Sequence, residues 1–164
     1  VYFGTGDMFE RVVIKALTTV KLKKTSVVFI GENEELRSVC EDFKIIEKAY
    51  FLGCLKDDAT AFVMSKATVL VFPSLYEGFG LPPLEAALLE VPSVCSRKPA
   101  MTEVLENSAL FADPNDYWEW SEQIYKLMND PIVRAKIIKN AKATTEKFCW
   151  KNSAEKLLKI LINI

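Results

Sequence analysis

The residues with most to offer chemically lie between positions 73 and 87, where Glu77 and Glu85 flank Gly78, Gly80, Pro82 and Pro83. Carboxylates accept hydrogen bonds, so one can hold the hydroxyls of a sugar and the other those of a ribose. Gly78 and Gly80 let the backbone bend and approach a ligand closely. Pro82 and Pro83 suit the first turn of a helix, where a missing N–H costs nothing. The amides and dipole at such a helix start form a site for a diphosphate. Glu85 is expected in the first turn, its side chain tilted back toward the same end. A plainer reading of Glu85 alone is a carboxylate complementing the helix dipole. The whole stretch, with acids and glycines together, points to a binding site.

Positioning these groups requires a strand before them and a helix after them. Residues 69–72, all apolar, run into Pro73. Similar runs lie at 26–30, ending at Gly31, and at 49–52, ending at Gly53, with weaker ones at 91–95 and 109–111. Runs apolar on both faces suit parallel strands covered by helices. Helical periodicity fills the gaps: Phe9, Val12, Val13, Ala16, Leu17 and Val20; Leu36, Val39, Cys40 and Phe43; Leu84, Ala87, Leu88 and Val91. The alternation predicts an α/β fold, a Rossmann-like doubly wound parallel sheet of about six strands flanked by helices. Beyond Asp113 and Pro114 the chain reads as helical. Asn115 or Asp116 caps one helix, Asp130 and Pro131 open another, and Phe148 to Trp150 begin a last one. Ligands of such sheets bind at the carboxyl ends of the strands, here just after Gly4, Gly31, Gly53, Pro73 and Cys95.

Composition narrows the chemistry further. The chain has 164 residues, one domain at a prior of roughly 150 residues each. Half of it is hydrophobic and 26% charged, a globular profile. With 21 Lys and Arg against 22 Asp and Glu, it lacks the basic excess of a nucleic-acid binder. It contains no histidine, which excludes Ser-His-Asp and Cys-His nucleophiles and His-ligated metals. Cys40, Cys54, Cys95 and Cys149 show no C-x-x-C spacing and read as free thiols in a reducing compartment. No apolar run approaches the about 20 residues of a spanning helix. Without an initiator Met or a charged leader, the sequence reads as opening at the first strand of a domain in a longer natural chain.

Glu77 and Glu85 resemble the E-x7-E signature of retaining GT-B glycosyltransferases, family 4 in particular. The resemblance extends along most of the chain. Val28, Phe29, Ile30 and Gly31 look like that family's strand-and-glycine step, and residues 50–55 like its F-x-G strand. Residues 67–74 are similar to its A-D-V-x-V-x-P-S strand, and residues 91–94 to x-P-V-V. Thr102, Glu103 and Val104, followed by residues 109–114, are similar to P-E-V … A-L-x-x-D-P. The order and spacing of these blocks carry more weight than E-x7-E alone.

The resemblance implies the C-terminal, nucleotide-sugar-binding half of such an enzyme over residues 1–164, with the acceptor-binding N-terminal half outside this chain. It implies that Glu77 lies by the donor sugar and that Glu85 contacts the ribose. It places the amides of Gly78, Phe79, Gly80 and Leu81 at the sugar and phosphates, and Gly53, Cys54 and Leu55 by the base. It implies no cofactor and no metal: the partners are a nucleoside-diphosphate sugar as donor, and a glycan or lipid acceptor held by the absent half. A cytoplasmic location follows, at the membrane face if the missing half attaches there.

The sequence departs from the family where an Arg and a Lys usually clamp the diphosphate after the first strand. Here residues 4–11 are shorter, and Arg11 is the nearest cation, either a clamp or an exposed helix residue. Arg97 and Lys98 follow the strand at 91–95 and could supply charge, although a solvated loop is the plainer reading. Thr68 and Thr102 replace a usual Asp and Pro, and Glu103 reads as a helix-start residue. An eroded clamp would instead leave a non-catalytic module of the same fold, binding a nucleotide or a partner chain. Trp118, Trp120 and Trp150 sit at helix-packing positions. The last helix carries Trp150, Leu157, Leu158, Ile160, Leu161 and Ile164 on more than one face, so the isolated domain is expected to self-associate or to fold that helix back.

Overall fold

The computed structural model describes residues 2–3, 10–20, 25–31 and 34–162. Among the described residues six parallel strands form one sheet: β1 (Tyr2–Phe3), β2 (Val27–Ile30), β3 (Ala49–Phe51), β4 (Leu70–Phe72), β5 (Ser93–Ser96) and β6 (Leu110–Ala112). The strands alternate with α1 (Glu10–Thr19), α2 (Glu34–Asp42), α3 (Asp57–Ser65), α4 (Leu81–Leu88) and α5 (Pro99–Leu105). Then come α6 (Tyr117–Asn129), α7 (Pro131–Lys147) and α8 (Trp150–Ile162).

Strand order is β3-β2-β1-β4-β5-β6. Tyr2 pairs with Phe29 on one side and Val71 on the other, so the chain moves outward from β1 in one direction and from β4 in the opposite one. This doubly wound order follows from strands that are apolar on both faces. Val69 and Val71 face a cluster with Ile14, Leu17, Phe29 and Trp120, while Leu70 and Phe72 face another with Met64, Leu84, Met101 and Leu105. Val94 and Cys95 divide between the same two clusters. The central strands β4 and β5 are thus buried on both faces, with a helix layer on each.

The helical end is capped as its acids suggest. Asp116 accepts from Trp118 N (2.9 Å) and Glu119 N (3.2 Å), starting α6. Asp130 does the same for α7 with Ile132 N (2.9 Å) and Val133 N (3.0 Å). Several expectations need correction. The strand expected at 91–95 is Ser93–Ser96, because α4 ends in a left-handed residue, Glu90 (φ 58°), and Val91 N turns back to Ala86 O at 2.9 Å. Of the three tryptophans, Trp120 alone is core; Trp118 and Trp150 stand in solvent on the outer faces of α6 and α8. Glu103 lies in the middle of α5 rather than at its start. The last helix does not fold back: no described side chain of α8 is buried. Gly4 and the residues up to Phe9, the expected phosphate-clamp loop, lie outside the described residues, as do Ile164 and residues 21–24.

Candidate functional site

Strand order reverses between β1 and β4, and sheets of this kind bind ligands at the carboxyl ends of the strands at such a point. Residues 73–80 are the loop that leaves β4 at that point. Pro73 is buried under it, and Ser74 Oγ reaches the Tyr76 carbonyl at 3.5 Å. Glu77 is half-buried at the turn. Gly80 closes the loop as the residue before α4, with φ 82° and ψ 62°, and it provides no side-chain cap. A Cβ at Gly80 would stand 2.1 Å from Met101 Cε and 2.9 Å from Met101 Sδ, so the left-handed backbone calls for glycine and any side chain there would push the end of Met101 aside. Around Gly78 the space is open.

The helix that follows is suited to an anion. Leu81 is its first residue, and Pro82 and Pro83 remove two N–H groups from the first turn. The donors that remain before Leu84 belong to Gly78, Phe79, Gly80 and Leu81, at the positive end of the dipole. Glu85 is exposed and falls in the second turn, because Gly80 starts the helix at Leu81; the first turn holds no acid. Among the described residues, neither Glu77 nor Glu85 forms an ion pair. Both carboxylates therefore keep their acceptor capacity for a ligand.

The other expected residues are spread around this loop. Gly53, at φ 62°, accepts from Gly31 N at 3.0 Å, tying together the carboxyl ends of β2 and β3. Cys54 is exposed and Leu55 half-buried just beyond. Arg11, in the first turn of α1, donates to Asp42 of α2 at 3.0 Å and lies 5.9 Å from the Phe43 ring centroid. An incoming phosphate would have to compete with that carboxylate. Arg97 is similarly engaged, pairing with Glu119 and donating to the Phe111 carbonyl at 3.3 Å, which makes it a strut between β6 and α6. Among the described residues no cluster of acids and cysteines stands ready for a metal ion. A cavity of about 540 Å³ opens between Val27, Thr68, Leu17 and Ile124, at the amino ends of β2 and β4 and away from this loop.

Two residues that sequence reasoning did not single out complete the site. Met101 of α5 presses against Gly80. Phe148, after α7, meets Phe79 edge to face, with centroids 5.1 Å apart and planes at 88°. Sequence spacing gives no sign of either contact, because both depend on how α5 and α7 pack beside α4.

A family model described as glycosyl transferases group 1 matches residues 11–144. The chain belongs to that family. In fold it is the C-terminal half of a GT-B glycosyltransferase. Its relatives include the O-antigen chain mannosyltransferase B of Escherichia coli, 37% identical over 62% of this chain and 27% of that protein. The O-antigen chain mannosyltransferase RfbU of Salmonella typhimurium is 35% identical over 58% of the chain and 27% of its own length. The chain thus spans about a quarter of these curated relatives. Among solved structures, Anabaena HepE in complex with UDP and glucose superposes with TM-score 0.86 at 19% identity, covering 99% of this chain and 47% of HepE. The C-terminal domain of LpcC, a group 1 family protein from Francisella tularensis, gives TM-score 0.73 at 19% identity over 89% of this chain and 83% of that domain. At these identities the likeness is one of fold.

Proposed function

We propose that residues 1–164 form a single donor-binding domain of a retaining, metal-independent glycosyltransferase, which takes a sugar from a nucleoside diphosphate. The observation that carries this reading is the loop at the switch point. It brings a half-buried acid, an open glycine turn and a run of uncapped amides to one crevice, in a chain of the glycosyl transferases group 1 family. The amides from Gly78 to Leu81 take the diphosphate and help to carry the charge that develops as it leaves. Glu77 orients the donor sugar and steadies positive charge at its anomeric carbon. Glu85 holds the ribose, and the turn of Gly53, Cys54 and Leu55 lies by the base. The acceptor, a glycan or a lipid, is held by an N-terminal half, and this domain alone turns over little. UDP bound to HepE and the O-antigen enzymes among the relatives support a nucleotide sugar and a role in polysaccharide synthesis. The setting we infer is cytoplasmic, where nucleotide sugars are made.

A second reading draws on Arg11. Its pairing with Asp42 engages the α1 cation closest to the carboxyl end of β1, which favours a module that binds a nucleotide or a partner without transfer. Kinetics of the complete enzyme separate the two. The retaining-enzyme reading expects Glu77→Ala to lower kcat by about 10²-fold or more, in the range of a lost electrostatic stabiliser, with the product anomer of the wild type matching the donor. A complete enzyme that transfers no sugar, or a Glu77→Ala variant at full rate, overturns it.

A further inference from the structure

We propose that Phe148 is a positioning residue for the glycine loop at 78–80; its link to ligand binding rests on the donor-site reading above. The loop has little to hold it from within. Its amides are left for a ligand, and Ser74 Oγ to Tyr76 O, at 3.5 Å, is its one side-chain hydrogen bond among the described residues. Its position must then be set by packing from outside. Met101 blocks the space beneath Gly80, and the Phe148 ring meets Phe79, the residue between the two glycines, edge to face. Edge-to-face aromatic pairs fix direction as well as distance.

Phe148 can act as a post because the end of α7 is tied down. Thr144 Oγ1 and Ser108 Oγ share a buried hydrogen bond of 2.5 Å. Asn140 Nδ2 donates to the Asn107 carbonyl at 2.9 Å, and Lys147 Nζ lies 3.4 Å from Glu106 Oε2. Phe148 N itself donates to Thr145 O at 3.1 Å. Two residues later α8 begins, and none of its described side chains is buried. Phe148 therefore stands at the last anchored point before a free helix, and its ring carries that anchorage to Phe79. Displacing the junction of α7 and α8 displaces the loop.

Nitrogen-15 relaxation on the 164-residue chain tests this directly, in wild type, Phe148→Ala and Phe148→Tyr. In Phe148→Ala the order parameters of the amides at 78–81 fall from about 0.85 to below about 0.6, while those of residues 135–145 stay unchanged. Phe148→Tyr, which keeps the ring, restores the loop. Titration with UDP, GDP, ADP and CDP then shows the bound nucleotide weakened about three- to tenfold in Phe148→Ala and recovered in Phe148→Tyr, the range an edge-to-face pair can supply. Unchanged loop order parameters in Phe148→Ala overturn the proposal. A loosened loop with unaltered nucleotide affinity overturns its link to the donor site. If the wild type binds none of the four nucleotides, the donor-site reading fails and the relaxation data still decide the role of Phe148. Should Phe148→Ala not fold, Phe79→Ala removes the same contact from the loop side, and a loop that stays ordered in it overturns the proposal equally.

Discussion

At Gly80 two physical demands coincide: a left-handed backbone and a methionine where a Cβ would go. Gly78, two residues earlier, meets neither neighbour nor strain. Gly80→Ala should therefore cost about 1–3 kcal/mol of stability, chiefly through its φ, with the shift forced on the end of Met101 added to it. Gly78→Ala should stay within about 0.5 kcal/mol of wild type. Urea unfolding of the two variants checks this, and equal losses would mean that Met101 does not constrain Gly80. At this scale the sequence was legible wherever the chemistry is local. Glu77, Gly78, Gly80 and Glu85 fall within nine consecutive residues, so their convergence needs one loop and one helix. Residues that act across the fold were not legible. Arg97 reads as a loop cation until α6 brings Glu119 to it, and Phe148 reads as a helix boundary until α7 lays it on Phe79.

At the scale of elements, β-branched and apolar runs were enough to place the strands from β2 to β6 within about two residues, because strands buried on both faces leave little choice of residue. Caps Asp116 and Asp130 marked helix starts well for a similar reason, since a free carboxylate beside bare amides has a definite partner. Errors arose where a boundary depends on backbone strain or on packing. Glu85 moved to the second turn because Gly80 adopts a left-handed conformation, and Trp118 and Trp120 were sorted by which face of α6 meets the core, while Trp150 lies on a helix with no buried side chain among the described residues. Helix α8 is the element that the sequence describes best and the structure covers least. Leu157, Leu158, Ile160, Leu161 and Ile162 are each more than half exposed. Deleting Trp150–Ile162 should thus shift the thermal midpoint by less than about 3 °C, as it uncovers no core. In sedimentation at tens of micromolar, the 164-residue chain should associate and the deletion variant should run as a monomer. A full chain that is itself monomeric contradicts the self-association expected from its apolar face.

Across the whole molecule, the order β3-β2-β1-β4-β5-β6 decides where a ligand can sit, since it has one reversal and hence one crevice. That crevice lies where the residues at 73–87 begin, so fold and motif agree on a single place. About half the length of HepE corresponds to this chain. The nucleotide recognition proposed above calls on residues this chain carries, so it can be tested on the chain itself. The most direct test is a thermal-shift titration with UDP, GDP, ADP and CDP on wild type and Glu85→Ala. A nucleotide at 100 times its Kd stabilises the folded state by about 2.7 kcal/mol, a rise of about 5–10 °C for a chain of this size. The account predicts such a rise with one of the four nucleotides and a smaller one in Glu85→Ala; an identical rise in Glu85→Ala, or none with any nucleotide at millimolar concentration, would contradict it.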